Sequence, residues 1–170
     1  SRLGPIMQSN YRYATAKPTH YQAILSLIKS PQELFLIYPA ADWPFDITQL
    51  ERLARERSDL TVVLDGDLVI GFANLYSNLS GSKRFIGNVV VSHDYRGKGI
   101  GRELVRYMCN RVFEHYADEV HITVFNHNLP ALTLYGSMGF KPYDMELRKM
   151  PSGGEAMAIH MQLNRRSWSS

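Results

Sequence analysis

Apolar residues recur along the chain with two different periods, and the switches between them mark out the elements. Short β-branched runs at 60–64, 68–78 and 84–91 have strand length and strand composition. Asp65-Gly66 between the first two is a hairpin signal, and Gly81-Ser82 turns the chain into the third. Three consecutive antiparallel strands are expected here. Alternation at 11–16 predicts an earlier strand. The runs at 121–125, 142–147 and 156–163 predict three later ones, the last two joined by the flexible Ser152-Gly153-Gly154 turn.

The 3.6-residue period appears between these runs. Ala23, Ile24, Leu27 and Ile28 form one stripe, opened at Pro18-Thr19 with Thr19 and Gln22 spaced as a capping box and broken at Ser30-Pro31. Asp46 caps a predicted helix over 47–57, with Gln49 at the capping-box position. Residues 32–45 between them show no period and hold Phe35, Tyr38, Trp43 and Phe45 among prolines. Over 100–116, Ile100, Leu104, Val105, Met108, Val112 and Phe113 share one helix face, and a last helix over 130–138 ends at Gly139. One helix alone connects the strand ending at Val91 to the strand at 121–125. Those two should therefore lie parallel, joined by a right-handed crossover. The expected fold class is α/β (α+β): one domain with a mixed, mostly antiparallel central sheet of six to seven strands, one parallel pair and flanking helices.

The junction between the strand at 84–91 and the long helix carries the candidate chemistry. After Val89-Val90-Val91 comes a polar turn and then Arg96-Gly97-Lys98-Gly99-Ile100-Gly101. Glycines at 97, 99 and 101 allow close backbone approach and positive φ. Free N–H groups at a helix start, beside Arg96 and Lys98, make a cradle for a pyrophosphate. A Walker loop would need Ser or Thr after its lysine, where Gly99 stands. The dinucleotide fingerprint would need a third glycine where Arg102 stands.

What fits without a gap is Arg/Gln-x-x-Gly-x-Gly, and in that form the segment resembles the acetyl-CoA loop of the GCN5-related N-acetyltransferases, the GNAT superfamily. A second block strengthens the resemblance. Asn128-Leu129-Pro130-Ala131-Leu132-Thr133-Leu134-Tyr135-Gly136-Ser137-Met138-Gly139-Phe140 fits Asn-x-x-Ala-x-x-Leu-Tyr-x-x-x-Gly-Phe, in the order and at the separation the family shows. The likeness is strong over 60–140 and loose outside it. It implies a single GNAT domain over 7–164, with the parallel strands splayed into a wedge where the pantetheine arm lies.

The resemblance also implies roles. Arg96, Gly97, Lys98, Gly99, Ile100 and Gly101 would hold the pyrophosphate, and the main chain of Val89, Val90 and Val91 the pantetheine. The backbone N–H near Val91 would polarise the thioester carbonyl. Asn128 would touch the pantetheine amides or cap its helix. Tyr135 matches the family's general acid: a phenol of pKa about 10 stays protonated at neutral pH and can pass its proton to a departing thiolate. The base departs from better-known members. Residues 85–91 and 121–125 hold no carboxylate, and Thr123 stands near where ribosomal-protein N-terminal acetyltransferases would carry their glutamate. The expectation is water relayed through Asn88, Thr123 or Asn74, with His127 and Glu33 as alternative direct bases. Acceptor recognition is expected from residues 32–46 and the 152–155 turn, where Glu33, Asp42 and Asp46 could attract a cationic amine.

The reaction implied is direct acetyl transfer from acetyl-CoA, the co-substrate, to a primary amine of a small molecule or peptide, without a metal. A non-catalytic acetyl-CoA sensor of the same fold is the alternative. Composition narrows the setting. The 170 residues carry a formal charge of +3 and 45% apolar content, ordinary for one globular domain and too weakly basic for a nucleic-acid stripe. The lone Cys109 cannot form an internal disulfide and reads as apolar filler in a reducing compartment. No apolar run approaches the roughly 20 residues of a membrane span. These features point to a cytoplasmic protein without membrane or nucleic-acid partners, with a homodimer left open. Residues 1–6 read as a cloning scar before Met7, and 165–170 as a frayed polar tail.

Overall fold

The computed structural model describes residues 11–168, so the expectation for 1–6 lies outside the described residues. Seven strands form one sheet in the order β1-β2-β3-β4-β5-β7-β6. They are β1 (Arg12–Thr15), β2 (Ser58–Asp65), β3 (Leu68–Ser77), β4 (Arg84–Val91), β5 (Glu119–Phe125), β6 (Lys141–Lys149) and β7 (Glu155–Asn164). Every neighbouring pair is antiparallel except β4 and β5. That pair keeps register only at Phe85–His121 and Ile86–Ile122. Beyond Ile86 the two strands part, and the sheet splits.

The helices are α1 (Tyr21–Ser26), α2 (Pro31–Ile37), α3 (Ile47–Glu56), α4 (Ile100–His115) and α5 (Leu129–Ser137). The sheet separates two cores. On one face Leu104, Met108 and Val112 of α4 and Tyr135 and Met138 at α5 bury against Ile70, Leu75 and Ile122. On the other, Ile24 of α1, Leu34 of α2 and Leu50 and Leu53 of α3 pack on Val62, Phe72 and Val90. A third cluster stacks Phe35 of α2 on Phe125 at 4.6 Å between ring centroids, over Ala156 and Ala158 of β7. Through it α2 spans the split, touching both halves of the sheet.

Local chemistry departs from expectation in three places. The Thr19–Gln22 capping box does not form; Lys17 N–H instead donates to His20 Nδ1 (3.0 Å) at a 3-10 turn before α1. Ser30 breaks the first helix and also caps a new one, α2, by accepting from Glu33 N–H (3.1 Å). The 165–168 tail is pinned rather than frayed: Arg165 pairs with Asp118, and Trp168 packs on Phe113 while its indole N–H donates to Asn110. Among the described residues no helix is long and apolar enough to cross a membrane.

Candidate active site

Positive φ occurs at two of the three loop glycines. Gly97 and Gly99 have φ of +78° and +82°, and a side chain at either would project into open space. Gly101 is an ordinary helical residue, lying near Val91 and Leu134; the positive φ expected there is not needed. Gly99 is the N-cap of α4, and no side chain caps the helix. The first-turn N–H groups therefore stay available to an anion. Ile100 is buried under α4, anchoring the loop to the core. Lys98 lies over the Tyr95 ring at 5.4 Å. The other cation is partly spent: Arg96 donates through Nε to the Val91 carbonyl (3.2 Å) and through Nη2 to Glu33 (3.2 Å).

Glu33 is thus a strut between α2 and the loop. Its carboxylate also takes the Lys29 N–H at 2.9 Å and His93 Nε2 at 2.7 Å. Burial alone would raise its pKa, but the Lys29 amide, His93 and Arg96 outweigh it and hold the carboxyl below its ordinary value. So committed, Glu33 is a poor base. Asp46 caps α3 through the Gln49 N–H (3.0 Å), and the Asp42 main chain is tied to the Gln49 side chain. None of the three acids, and no residue of the 152–155 turn, lines the cleft described next.

β4 carries an extra residue opposite Ala73, since Phe72 pairs with Val90 but Asn74 with Gly87. Asn88 sits in this bulge with φ of +55°, a conformation asparagine tolerates better than most side chains. The bulge bends β4 away from β5 and opens a cleft of about 610 Å³. Ser92 N–H donates to Ile70 of β3 (2.7 Å), so by strand alternation the Val91 N–H points to the opposite edge, toward the split. Val89 lines the cleft, whereas Val90 is buried in the core on the α1–α3 face. The Val90 side chain is therefore structural.

Tyr135 and Asn128 face the same cleft. Asn128 also caps α5, accepting from Ala131 N–H at 3.4 Å. Tyr135 is 7% exposed and packs against Phe140. Among the described residues no hydrogen bond holds its hydroxyl. Burial, with a smaller contribution from the nearby Cys109, raises its pKa above the ordinary value. Cys109 is itself fully buried, its thiol pushed up to about 12 by burial, as expected of an apolar filler.

The opposite wall holds a group absent from the sequence-based expectations. His160 of β7 takes Thr123 Oγ1 at Nδ1 (2.8 Å) and Glu146 of β6 at Nε2 (3.1 Å). Glu146 is held below its ordinary pKa by Arg148 first and His160 second, so it accepts only. Nε2 must then carry the hydrogen, leaving the Nδ1 lone pair to accept from Thr123. Tyr76 lines the same cleft, and burial raises its pKa. His127, by contrast, is exposed in the turn before α5 and does not line the cleft. Asn74 and Asn88 are both buried and bind each other and Arg57.

The chain therefore combines a mixed sheet split between two parallel strands with an uncapped glycine loop at the head of the helix between them. Residues 22–140 match the profile of the Acetyltransferase (GNAT) family, and the chain belongs to that family. It is 37% identical over 87 residues to streptothricin acetyltransferase of Streptomyces lavendulae, covering 51% of this chain and 46% of that protein. With N-alpha-acetyltransferase 30 of Saccharomyces cerevisiae it shares 30% over 83 residues, 49% of this chain and 47% of the relative. The chain thus spans about half the length of these curated relatives. Among solved structures, the GCN5-related N-acetyltransferase of Kribbella flavida aligns over 91% of this chain and 97% of its own with a TM-score of 0.74 at 23% identity. YncA of Salmonella typhimurium, a putative acetyltransferase solved with acetyl-CoA, aligns over 95% and 98% with a TM-score of 0.72 at 19% identity.

Proposed function

We propose that this chain is an acetyl-CoA-dependent N-acetyltransferase that moves the acetyl group directly to a primary amine of a small molecule or peptide. The observation that carries the reading is the shared cleft: a buried phenol without a protein partner lines one wall, and a hydroxyl–imidazole–carboxylate chain lines another. Acetyl-CoA fits the donor side. The open φ-positive loop at Gly97 and Gly99, the uncapped α4 amides and Lys98 suit its pyrophosphate, and the unpaired edge of β4 suits its amide-bearing arm.

In this mechanism His160 replaces the water relay through asparagines, because an amide has no basic lone pair to offer. Nδ1 of His160 draws the amine proton through the Thr123 hydroxyl, and Glu146 fixes the ring tautomer and supports the imidazolium that forms. The Val91 N–H, on the open edge, donates to the carbonyl oxygen as charge develops there; such a donor is typically worth about 3 kcal/mol. As the C–N bond forms and the C–S bond breaks, the Tyr135 hydroxyl gives its proton to the thiolate.

Thiol release from acetyl-CoA with a panel of amines tests the reading. The wild type should turn over at least one amine class. In His160→Gln the rate should drop roughly 10²–10⁴-fold, the range for a positioned acid or base. An unchanged rate in that variant removes His160 from the base role. No turnover with any amine, despite tight coenzyme A binding, would favour a sensor.

A further inference from the structure

Arg57, just past the end of α3, is an unusual tenant of the cleft. Its guanidinium is sandwiched between the rings of Tyr38 (5.0 Å) and Tyr76 (4.1 Å). Nη1 donates to the side-chain oxygens of Asn88 (2.6 Å) and Asn74 (3.2 Å); Asn88 is anchored in turn on the Ile37 carbonyl (2.9 Å) and Asn74. No carboxylate pairs with it among the described residues. Burial is costly enough to depress its pKa. A charge taken out of water normally carries an anion with it, since the desolvation penalty is several kcal/mol per ion. Here two neutral amides hold one nitrogen, and the Nε–Nη2 edge makes no hydrogen bond to any of the described residues. That edge is not sealed away either, because Ser58 Oγ is the one buried, unpartnered side-chain atom among the described residues. It is the edge whose two parallel N–H groups match a carboxylate in bidentate fashion.

Its position fits an acceptor. Arg57 lies on the Tyr76 ring, and both line the same cleft as Thr123, the first member of the proposed proton path, and His160. The acids that line the cleft, Asp144 and Glu146, lie on β6, across the split from Arg57. Glu146 is already paired with Arg148 and His160, and Lys83, which also lines the cleft, stands over the Tyr143 ring, so Arg57 is the lining cation with neither a carboxylate partner nor free exposure among the described residues.

We infer that Arg57 is the anion subsite of the acceptor pocket, so that the acceptor is a compact amino acid whose carboxylate docks on the Nε–Nη2 edge while its amine faces Thr123 and His160. The inference rests on the transferase reading and deepens it to a substrate class.

The experiment pairs each amino acid with its amide and its decarboxylated amine, in thiol-release kinetics and in calorimetric binding to the complex with coenzyme A. Wild type should prefer the carboxylated ligand by roughly 10- to 100-fold, the range for charge-assisted hydrogen bonds. In Arg57→Gln that preference should collapse toward unity, and Arg57→Lys, which keeps the charge without the fork, should recover only part of it. Gly87→Ala gives an independent probe, because a Cβ there would strike Arg57 Nη1 and the Tyr76 ring and push the guanidinium aside; it too should erode the preference. Equal use of acids and decarboxylated amines by wild type overturns the inference. So does a uniform loss across all three ligand types in Arg57→Gln, or a matching loss of coenzyme A affinity. If no amine is turned over, the transferase reading fails by itself, and the calorimetric preference still decides whether Arg57 reads a carboxylate.

Discussion

Burial makes the Tyr135 phenol harder to ionise, and this fixes when it can act. A raised pKa keeps the proton on through neutrality and beyond the ordinary value of about 10. Ionisation of Tyr135 should therefore not contribute a basic limb to kcat below about pH 10. Because none of the described residues bonds the hydroxyl, Tyr135→Phe keeps the packing on Phe140 and should cost little stability. It should lower kcat by roughly 10²–10⁴-fold with acetyl-CoA binding nearly intact. Full activity in that variant, measured by thiol release, sinks the acid assignment. The partly buried carboxylate strut makes a separate prediction. Glu33 is depressed in the folded state, so its contribution is present above the unfolded value near 4.5 and is lost as pH falls through the lower folded value. Urea melts from pH 6 down to about pH 3 should show a steeper loss of stability in wild type than in Glu33→Gln. Parallel curves would mean that His93, Arg96 and the Lys29 amide do not stabilise the charged form.

Elements set which of these groups can meet. Gly99 joins β4 to α4 at a φ of +82°, open to the ligand side. Gly99→Val places a β-branched residue in the left-handed region, at a cost of about 1–3 kcal/mol, and extends a side chain where phosphate oxygens would lie. Melting should register the strain, and the KM for acetyl-CoA should rise by at least about tenfold, some 1.4 kcal/mol of lost binding; an unchanged KM would dissociate the loop from the cofactor. This junction was legible in the sequence because its chemistry is contiguous: strand, glycines and helix cap lie within about a dozen residues. The Asn128–Phe140 block was legible for the same reason. Of the other wall the sequence pointed to Asn88 and Thr123 but not to Arg57, Tyr76, Glu146 or His160. Arg57, Tyr76, Asn88, Thr123, Glu146 and His160 come from six separate elements or junctions, and only strand order and the β4 bulge bring them together. A signal did exist for His160: it shares a strand face with Ala156 and Ala158, so a polar ring follows two small buried side chains at a period of two. Glu33 misled in the opposite direction. A carboxylate near the wedge looked available until α2 formed from Ser30 onward and turned it toward His93 and Arg96.

At the scale of the molecule, the split sheet divides the fold into halves with little direct pairing between them. The β1–β4 half and the β5–β7 half share only two registered pairs, Phe85–His121 and Ile86–Ile122, besides the helices that straddle them. α4 and α2 make most of that bridge, the latter through the Phe35–Phe125 stack. A cofactor lying along the open edge of β4 would add contacts to both halves, which the unfolded chain cannot offer. Mass action then makes a definite demand: at a coenzyme A concentration 100 times Kd, stability rises by about 2.7 kcal/mol. For a chain of this size each kcal/mol moves Tm by about 2–4 °C, so Tm should climb by roughly 5–11 °C. The gain should depend on ligand concentration, fall to about 1.4 kcal/mol or less in Gly99→Val at the same concentration and persist in Tyr135→Phe, because the first variant disrupts holding and the second only proton transfer. A calorimetric scan with no shift at saturating coenzyme A would leave the split sheet as an architectural feature without the ligand that its open edge and glycine cradle are shaped to take.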